Sequence, residues 1–306
     1  MTTVEMPPGG TTAEPAAEHT SVAVTDRSPL RLAMRRFWGN LGAKVSVVVL
    51  SIVVVVCLVG PFFLPDPNSQ DLLHSRAAPG GGHLLGTDLL GRDMLARVLA
   101  GGRVSLAVGF STAVSALVLG TTIGVVAGRV GGWVDAVLMR ITDIFMAIPS
   151  MLVVIVMGGV LGPSLPLLIV LLAAFSWPGA ARIARSVVLS VRELDYVRAA
   201  EAAGTRSSVI MVRHLLPSVI PQVTVAGAML VSGAILSEAG LSYLGLGVVP
   251  PQASWGNLLQ QAQSYTVLSS MPWLWLSPGV AIILTCVSII FIGDGLRDAL
   301  DPKETR

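Results

Sequence analysis

The chain has 306 residues, of which 53% are apolar and only 12% charged, with a formal net charge of +2 at pH 7. Its mean hydropathy is +0.76. So few charges cannot solvate a globule of this size, which excludes an ordinary soluble domain and requires an exterior that faces lipid.

Residues 1–26 are rich in Pro, Gly, Thr and Ala and read as a disordered tail. Residues 27–38 carry Arg27, Arg31, Arg35 and Arg36 beside Phe37 and Trp38. That pattern suits either a segment lying on membrane lipid at the inner leaflet or simple positive flanking of a span. Apolar runs at 45–64, 104–127, 137–158, 165–185, 217–247 and 274–293 are long enough to cross about 30 Å of hydrocarbon. The first run reads as a retained anchor, because Pro61-Phe62-Phe63-Leu64-Pro65 is a poor cleavage site and residues 1–44 are too long for a signal n-region. The fifth is too long for one span and is expected to run on into an outer turn at Gly245-Leu246-Gly247. Of the 20 Lys and Arg residues, only Arg76, Arg92, Arg97 and Arg103 fall outside when the N-terminus is placed inside. Both termini are therefore expected in the cytoplasm.

Between the first two spans, Thr87 or Asp88 can cap a short helix, and Asp93 can pair with Arg97 at i,i+4. Gly120, Gly124 and Gly128 recur at four-residue spacing, a close-packing face within the chain or against a partner. Asp143 is expected to pair locally, next to Arg140. Trp133, Trp177, Trp255, Trp273 and Trp275 lie near span ends and read as interfacial anchors. Cys57 and Cys286 lie inside spans and read as small apolar fillers. Glu238, an acid toward the outer end of the fifth span, is a candidate for the pathway or its gate. Asp294 and Arg297, at helix spacing, are expected to anchor the last span at the inner interface.

A cytoplasmic segment between the fourth and fifth spans stands apart. Ser190 and Glu193 have capping-box spacing, so a helix is expected to start there. Gly204 is a helix stop, Thr205, Ser207 or Ser208 can cap the next helix, and Pro217 suits the first turn of the apolar helix beyond. Two short amphipathic helices between spans form a docking surface. Enzymatic chemistry has no foothold. The two lysines, Lys44 after Ala43 and Lys303 after Pro302, exclude a Gly-Lys-Ser/Thr phosphate loop. His19, His74, His83 and His214 show no metal-ligand spacing, and no nucleophile elbow is present. No catalytic residue, metal, cofactor or nucleic-acid partner is expected.

The docking segment resembles the EAA loop of ABC-importer permeases: Glu-Ala-Ala, three residues, Gly, nine residues, an apolar position, any residue, Leu-Pro. Here Arg198-Ala199-Ala200 is followed by Gly204, then His214 and Leu215-Leu216-Pro217. Arg198 takes the place of the Glu, a departure familiar in the dipeptide/oligopeptide/nickel branch. Glu201-Ala202-Ala203 lies three residues out of frame. The outer string Gly86-Thr87-Asp88-Leu89-Leu90-Gly91-Arg92-Asp93 is similar to the signature of the C-type permease subunit. Ser237-Glu238-Ala239-Gly240-Leu241 and Gly293-Asp294-Gly295-Leu296-Arg297 fit the same subunit. The resemblance covers roughly residues 40–302.

It implies an all-α polytopic fold, with one N-terminal anchor helix before a type I permease core. It divides the chain into a basic cytoplasmic tail (1–40), an anchor and extracytoplasmic segment (41–103), and a core (104–302) with a coupling loop at 190–217. Implied partners are a homologous second permease subunit, two ABC ATPase subunits and an extracytoplasmic substrate-binding protein, all at the cytoplasmic membrane of a prokaryote. Tyr196, Arg198, Ala199, Ala200, Gly204, Arg206, Arg213, His214, Leu216 and Pro217 would contact the ATPases. The cargo, whether peptide, glutathione, nickel complex or sugar, is not legible. The competing readings are an autonomous ion-coupled secondary transporter, with Glu238 and Asp143 as a proton relay, and a membrane anchor without transport.

Overall fold

The computed structural model describes residues 29–300. The expected disordered tail 1–26 lies outside the described residues, as do residues 301–306. Among those described, no strand forms beyond the isolated bridges Gly80–His83 and Thr87–Asp93.

The short α1 (Pro29–Phe37) packs against the end of the last helix. Asn40 then accepts from the Ala43 N–H and caps α2 (Leu41–Val59), a β-branched run that is apolar all round. Arg103 closes the other end of α2, donating to the carbonyls of Cys57 at 2.9 Å and Leu58 at 2.5 Å. A cation there meets the negative end of the helix dipole. An outer loop leads to α3 (Met94–Val130), capped by Asp93. Its 37 residues span about 55 Å, well beyond the hydrocarbon thickness.

The expected third span is not one helix. It is α4 (Gly132–Ala147) and α5 (Ser150–Leu161), bent by 74°. Pro149 forces Ile148 into extended backbone (ψ 125°), which ends α4. Next come α6 (Leu165–Val191), α7 (Asp195–Ala202) and α8 (Ser207–Ile210). From α8 the chain passes through a π turn (Met211–Leu215) into α9 (Leu216–Tyr243). The expected outer turn follows: Gly245 takes φ +82°, and Leu246 donates back to the Leu241 carbonyl. Two short outer helices, α10 (Trp255–Leu259) and α11 (Tyr265–Ser270), precede α12 (Pro272–Leu300). Five helices among the described residues are long and apolar enough to span, and the bent α4–α5 pair makes a sixth when taken as one span.

The most extensive packing is α3 on α6. A Cβ at Gly120 would lie 2.5 Å from the Trp177 carbonyl oxygen, one at Gly124 would strike the Ala181 carbonyl, and one at Gly128 would lie 2.8 Å from Val188. The four-residue glycine repeat thus serves a seam within the chain. An outer core gathers Met94, Leu99, Ile235, Trp255, Leu258 and Leu274. An inner core gathers Val125, Val188, Val197, Ile210, Leu215 and Val219.

Several local expectations are corrected. Trp177 and Trp255 are 4% and 0% exposed and belong to the interior, not to an interfacial belt. Asp143 pairs across to Arg182 on α6 at 2.6 Å instead of with Arg140. Cys57 and Cys286, by contrast, pack as expected in the apolar interior.

Candidate functional site: the segment between α6 and α9

The apolar face of α6 continues through Val187, Val188 and Val191 onto the inner core, so the helix runs past Ser190. Ser190 bonds back to the Ser186 carbonyl and caps nothing. The expected capping box is therefore absent. Leu194 occupies the N-cap of α7 without a side-chain bond, and Glu193 instead pairs with Arg192 and Arg198. Those hydrogen bonds, Arg198 first, hold the Glu193 carboxyl below the usual carboxylate range, while the same pair raises Arg198.

Helix α7 ends as its sequence requires. Gly204 adopts φ +77°, its N–H reaches the Glu201 carbonyl, and the Thr205 N–H reaches the Ala200 carbonyl. This is the Schellman pattern, which a left-handed glycine permits. The next helix has Arg206 at its N-cap with no side-chain bond, so Thr205, Ser207 and Ser208 do not cap it. Ser207 accepts from Arg129 at the end of α3 instead, and Arg129 also pairs with Glu201. Pro217 lies in the first turn of α9, as expected, although α9 continues from α8 as one rod, Ser207–Tyr243. A prolyl ring clashes with the carbonyl four residues back and cannot donate to it. The π turn just before it, in which Leu216 donates to the Met211 carbonyl, accommodates that fault.

The result is a segment with two faces. Val197, Ile210 and Leu215 are fully buried and key it into α3, α6 and α9. Outward stand Arg198, Ala199, Gly204, Arg206, Arg213 and Pro217, with Leu194, Tyr196 and Val212 at 47%, 49% and 67% exposure. Ala200, His214 and Leu216 are half-buried at the edge, and the Tyr196 and His214 rings lie 6.0 Å apart. A shallow concavity of about 700 Å³ runs along Ser208, Val209, Val212, Arg213 and Pro217. A Cβ placed on Gly204 would meet nothing within 4 Å. The rod and its cradle fix this surface, and its outer face is exposed among the described residues.

At the other end of the bundle, the string 86–93 turns inward. Thr87 and Asp88 are 0% and 1% exposed. Thr87 accepts from the Ala77 N–H and donates to the His74 carbonyl, and its own carbonyl receives the Trp273 indole N–H. Asp88 accepts from the backbone of Leu90 and Arg92 and from the Arg92 side chain at 2.7 Å, with Arg97 at 3.7 Å. It is an Asx turn, not a helix cap. Asp93 caps α3 and pairs with His83 at 2.8 Å, so the expected Asp93–Arg97 pair does not form. Gly86 and Gly91 have φ +70° and +74°, and a side chain at Gly91 would collide with the Asp71 backbone.

Glu238 is fully buried and offers no surface to a pathway; Ser105 and Ser242 hold its two oxygens. Between α6, α9 and α12 an apolar cleft of about 710 Å³, lined by Ile183, Pro221, Val225 and Met229, has Asp294 and Arg297 at its inner end. Sequence reasoning missed Ser105, Arg129 and the three buried anchors Val197, Ile210 and Leu215. Each is ordinary in its local string and acquires its role only through a neighbour far along the chain.

Residues 120–306 match the family of binding-protein-dependent transport system inner membrane components, and residues 28–79 match the N-terminal TM domain of oligopeptide transport permease C. A protein of Brucella suis biovar 1, provisionally named a peptide permease, is 41% identical over 276 residues, 90% of this chain and 91% of its own length. A Brucella abortus biovar 1 protein, provisionally named a peptide transport system permease, is 40% identical over 94% of this chain and 97% of its own. The oligopeptide transport system permease protein OppC of Haemophilus influenzae is 37% identical over 91% of this chain and 90% of its own.

Proposed function

Because the chain belongs to the family of binding-protein-dependent transport system inner membrane components, and so is a multi-pass membrane permease subunit of an ABC importer, we propose that residues 194–217 grip separate ATPase subunits. The carrying observation is the two-faced segment: fixed to the bundle by Val197, Ile210 and Leu215, open outward at Ala199 and Gly204. Small residues let another protein's backbone approach closely, and Arg198, Arg206 and Arg213 offer charged contacts at the rim. In this reading a homologous second permease completes the pathway, two ATPases bind below, a substrate-binding protein docks above, and both termini are cytoplasmic. The chain itself is non-catalytic. Peptides are the cargo of choice, since the relatives carry peptide or oligopeptide in their names.

Closure of the ATPases would push the segment and tilt the rod Ser207–Tyr243, switching the pathway between inward- and outward-facing states. Such coupling needs a rigid element with different contacts in each state. The buried string at 86–93 would shape the outer platform on which the binding protein rests.

The test is Gly204→Asp. Aspartate is among the few residues that tolerate left-handed backbone, and among the described residues nothing stands within 4 Å of its Cβ. Membrane insertion should survive while co-purification with ATPases, or transport-coupled ATP hydrolysis, falls by at least about tenfold, the equivalent of ~1.4 kcal/mol at an interface. Unchanged uptake would refute this use of the segment.

A further inference from the structure

Glu238 lies near the outer end of α9, and both its oxygens accept hydrogen bonds from hydroxyls: Oε2 from Ser105 of α3 at 2.8 Å, Oε1 from Ser242 at 2.6 Å. Each hydroxyl in turn accepts a backbone N–H from the outer loop. Ser105 takes that of Trp255 at 3.2 Å, and Ser242 takes that of Val248 at 3.1 Å. One carboxyl therefore holds both ends of the stretch 248–255 through two relays. A buried carboxyl in a membrane protein is costly unless it is fully engaged, and this one is. The same stretch is held further by Asn257, which donates to the Val248 and Gln252 carbonyls, and by the Trp255 indole, which donates to the Val98 carbonyl. Gly256 sits so close to α9 that a Cβ there would lie 2.6 Å from Ala239 Cα.

The opposite end of the same helical rod is Ser207, inside the proposed ATPase grip. We infer that Glu238 is a positioning residue that fastens the extracytoplasmic pair α10–α11 to α3 and to this rod, and so carries the binding protein's arrival outside to the coupling segment inside. The inference rests on the reading of 194–217 given above. It concerns neither cargo contact nor ATP chemistry. A contiguous network joined to one rigid element is a physical route for coupling between distant sites.

The experiment uses the complete importer in nanodiscs, with ATP hydrolysis measured alone and against rising concentrations of its binding protein loaded with an oligopeptide mixture. Glu238→Ala should keep the basal rate and lose about tenfold in stimulation, as expected when buried relays lose their acceptor. Ser105→Ala, which breaks one relay with little change of volume, should lose part of it. Glu238→Gln, whose amide can accept from Ser105 and donate to Ser242, should keep most. Full stimulation in both alanine variants would overturn the inference. So would a parallel fall of basal and stimulated rates in Ser105→Ala, which marks a merely structural role. Should Glu238→Ala fail to assemble, Ser105→Ala and Glu238→Gln decide by the same criteria. A wild-type complex with no stimulation at all overturns the coupling reading itself, and this inference falls with it.

Discussion

Trp255 makes two kinds of contact at once: its ring fills the outer core, and its Nε1–H finds the Val98 carbonyl at 2.9 Å. Trp255→Phe keeps most of the apolar area but removes the indole's hydrogen bond to a carbonyl that already accepts within α3, so thermal unfolding in detergent should show a loss of about 1 kcal/mol. Gly91 is less forgiving. A side chain there meets the Asp71 backbone at φ +74°, so Gly91→Ala should destabilise by about 1–3 kcal/mol, detected as protease sensitivity of the outer loop. At the proposed coupling surface, Glu193 is held below its unfolded value by Arg198 and then Arg192. Its contribution is therefore fully present above the ordinary carboxylate pKa of about 4.3 and is lost as pH falls through the lower folded value. A carboxyl-detected NMR titration should give a midpoint below about 4.3, leaving Glu193 itself charged through the neutral range.

Among elements, the α3–α6 seam depends on absence of side chain. Gly124→Val would drive methyls into the Ala181 carbonyl and Ala184 Cβ, and overpacking of this kind destabilises by about 1–3 kcal/mol. Gly159 and Gly233, around which a Cβ meets nothing, serve as controls: alanine there should leave the melting temperature no lower than before. The seam was legible in the sequence because its four-residue period is local. Other features were not. The break at Ile148–Pro149 hides inside a run that is apolar enough as a whole to pass for one span, and only the restriction that proline places on its predecessor betrays it. The capping box at Ser190 and Glu193 misled because α6 gains more by extending its apolar face over Val125 and Val219 than by stopping. Asp93 chose His83 over Arg97 because capping α3 already aims its carboxylate away from the helix flank.

For the molecule as a whole, composition and hydropathy gave the class and the number of spans, since lipid imposes those demands on every residue alike, and charge bias supplies an expected orientation. The proposed coupling surface is marked by its glycine and proline spacing, whereas the junction around Glu238 joins residues more than a hundred positions apart and leaves no periodic trace. Orientation is open to a direct check. With native Cys57 and Cys286 buried, single cysteines at exposed Leu84 and Val212 should react with an impermeant thiol reagent from opposite sides of intact cells, Leu84 alone without lysis. The π turn at 211–215 has one more consequence. Each residue of an α-helix turns about 100° around the axis, so the extra residue in that turn sets the azimuth of the coupling face independently of the face that α9 shows the bundle. Deleting Val212 would cost the proposed coupling face one exposed side chain and turn the rest of it about 100° out of line with α9, as a key cut correctly on a blade that has been twisted.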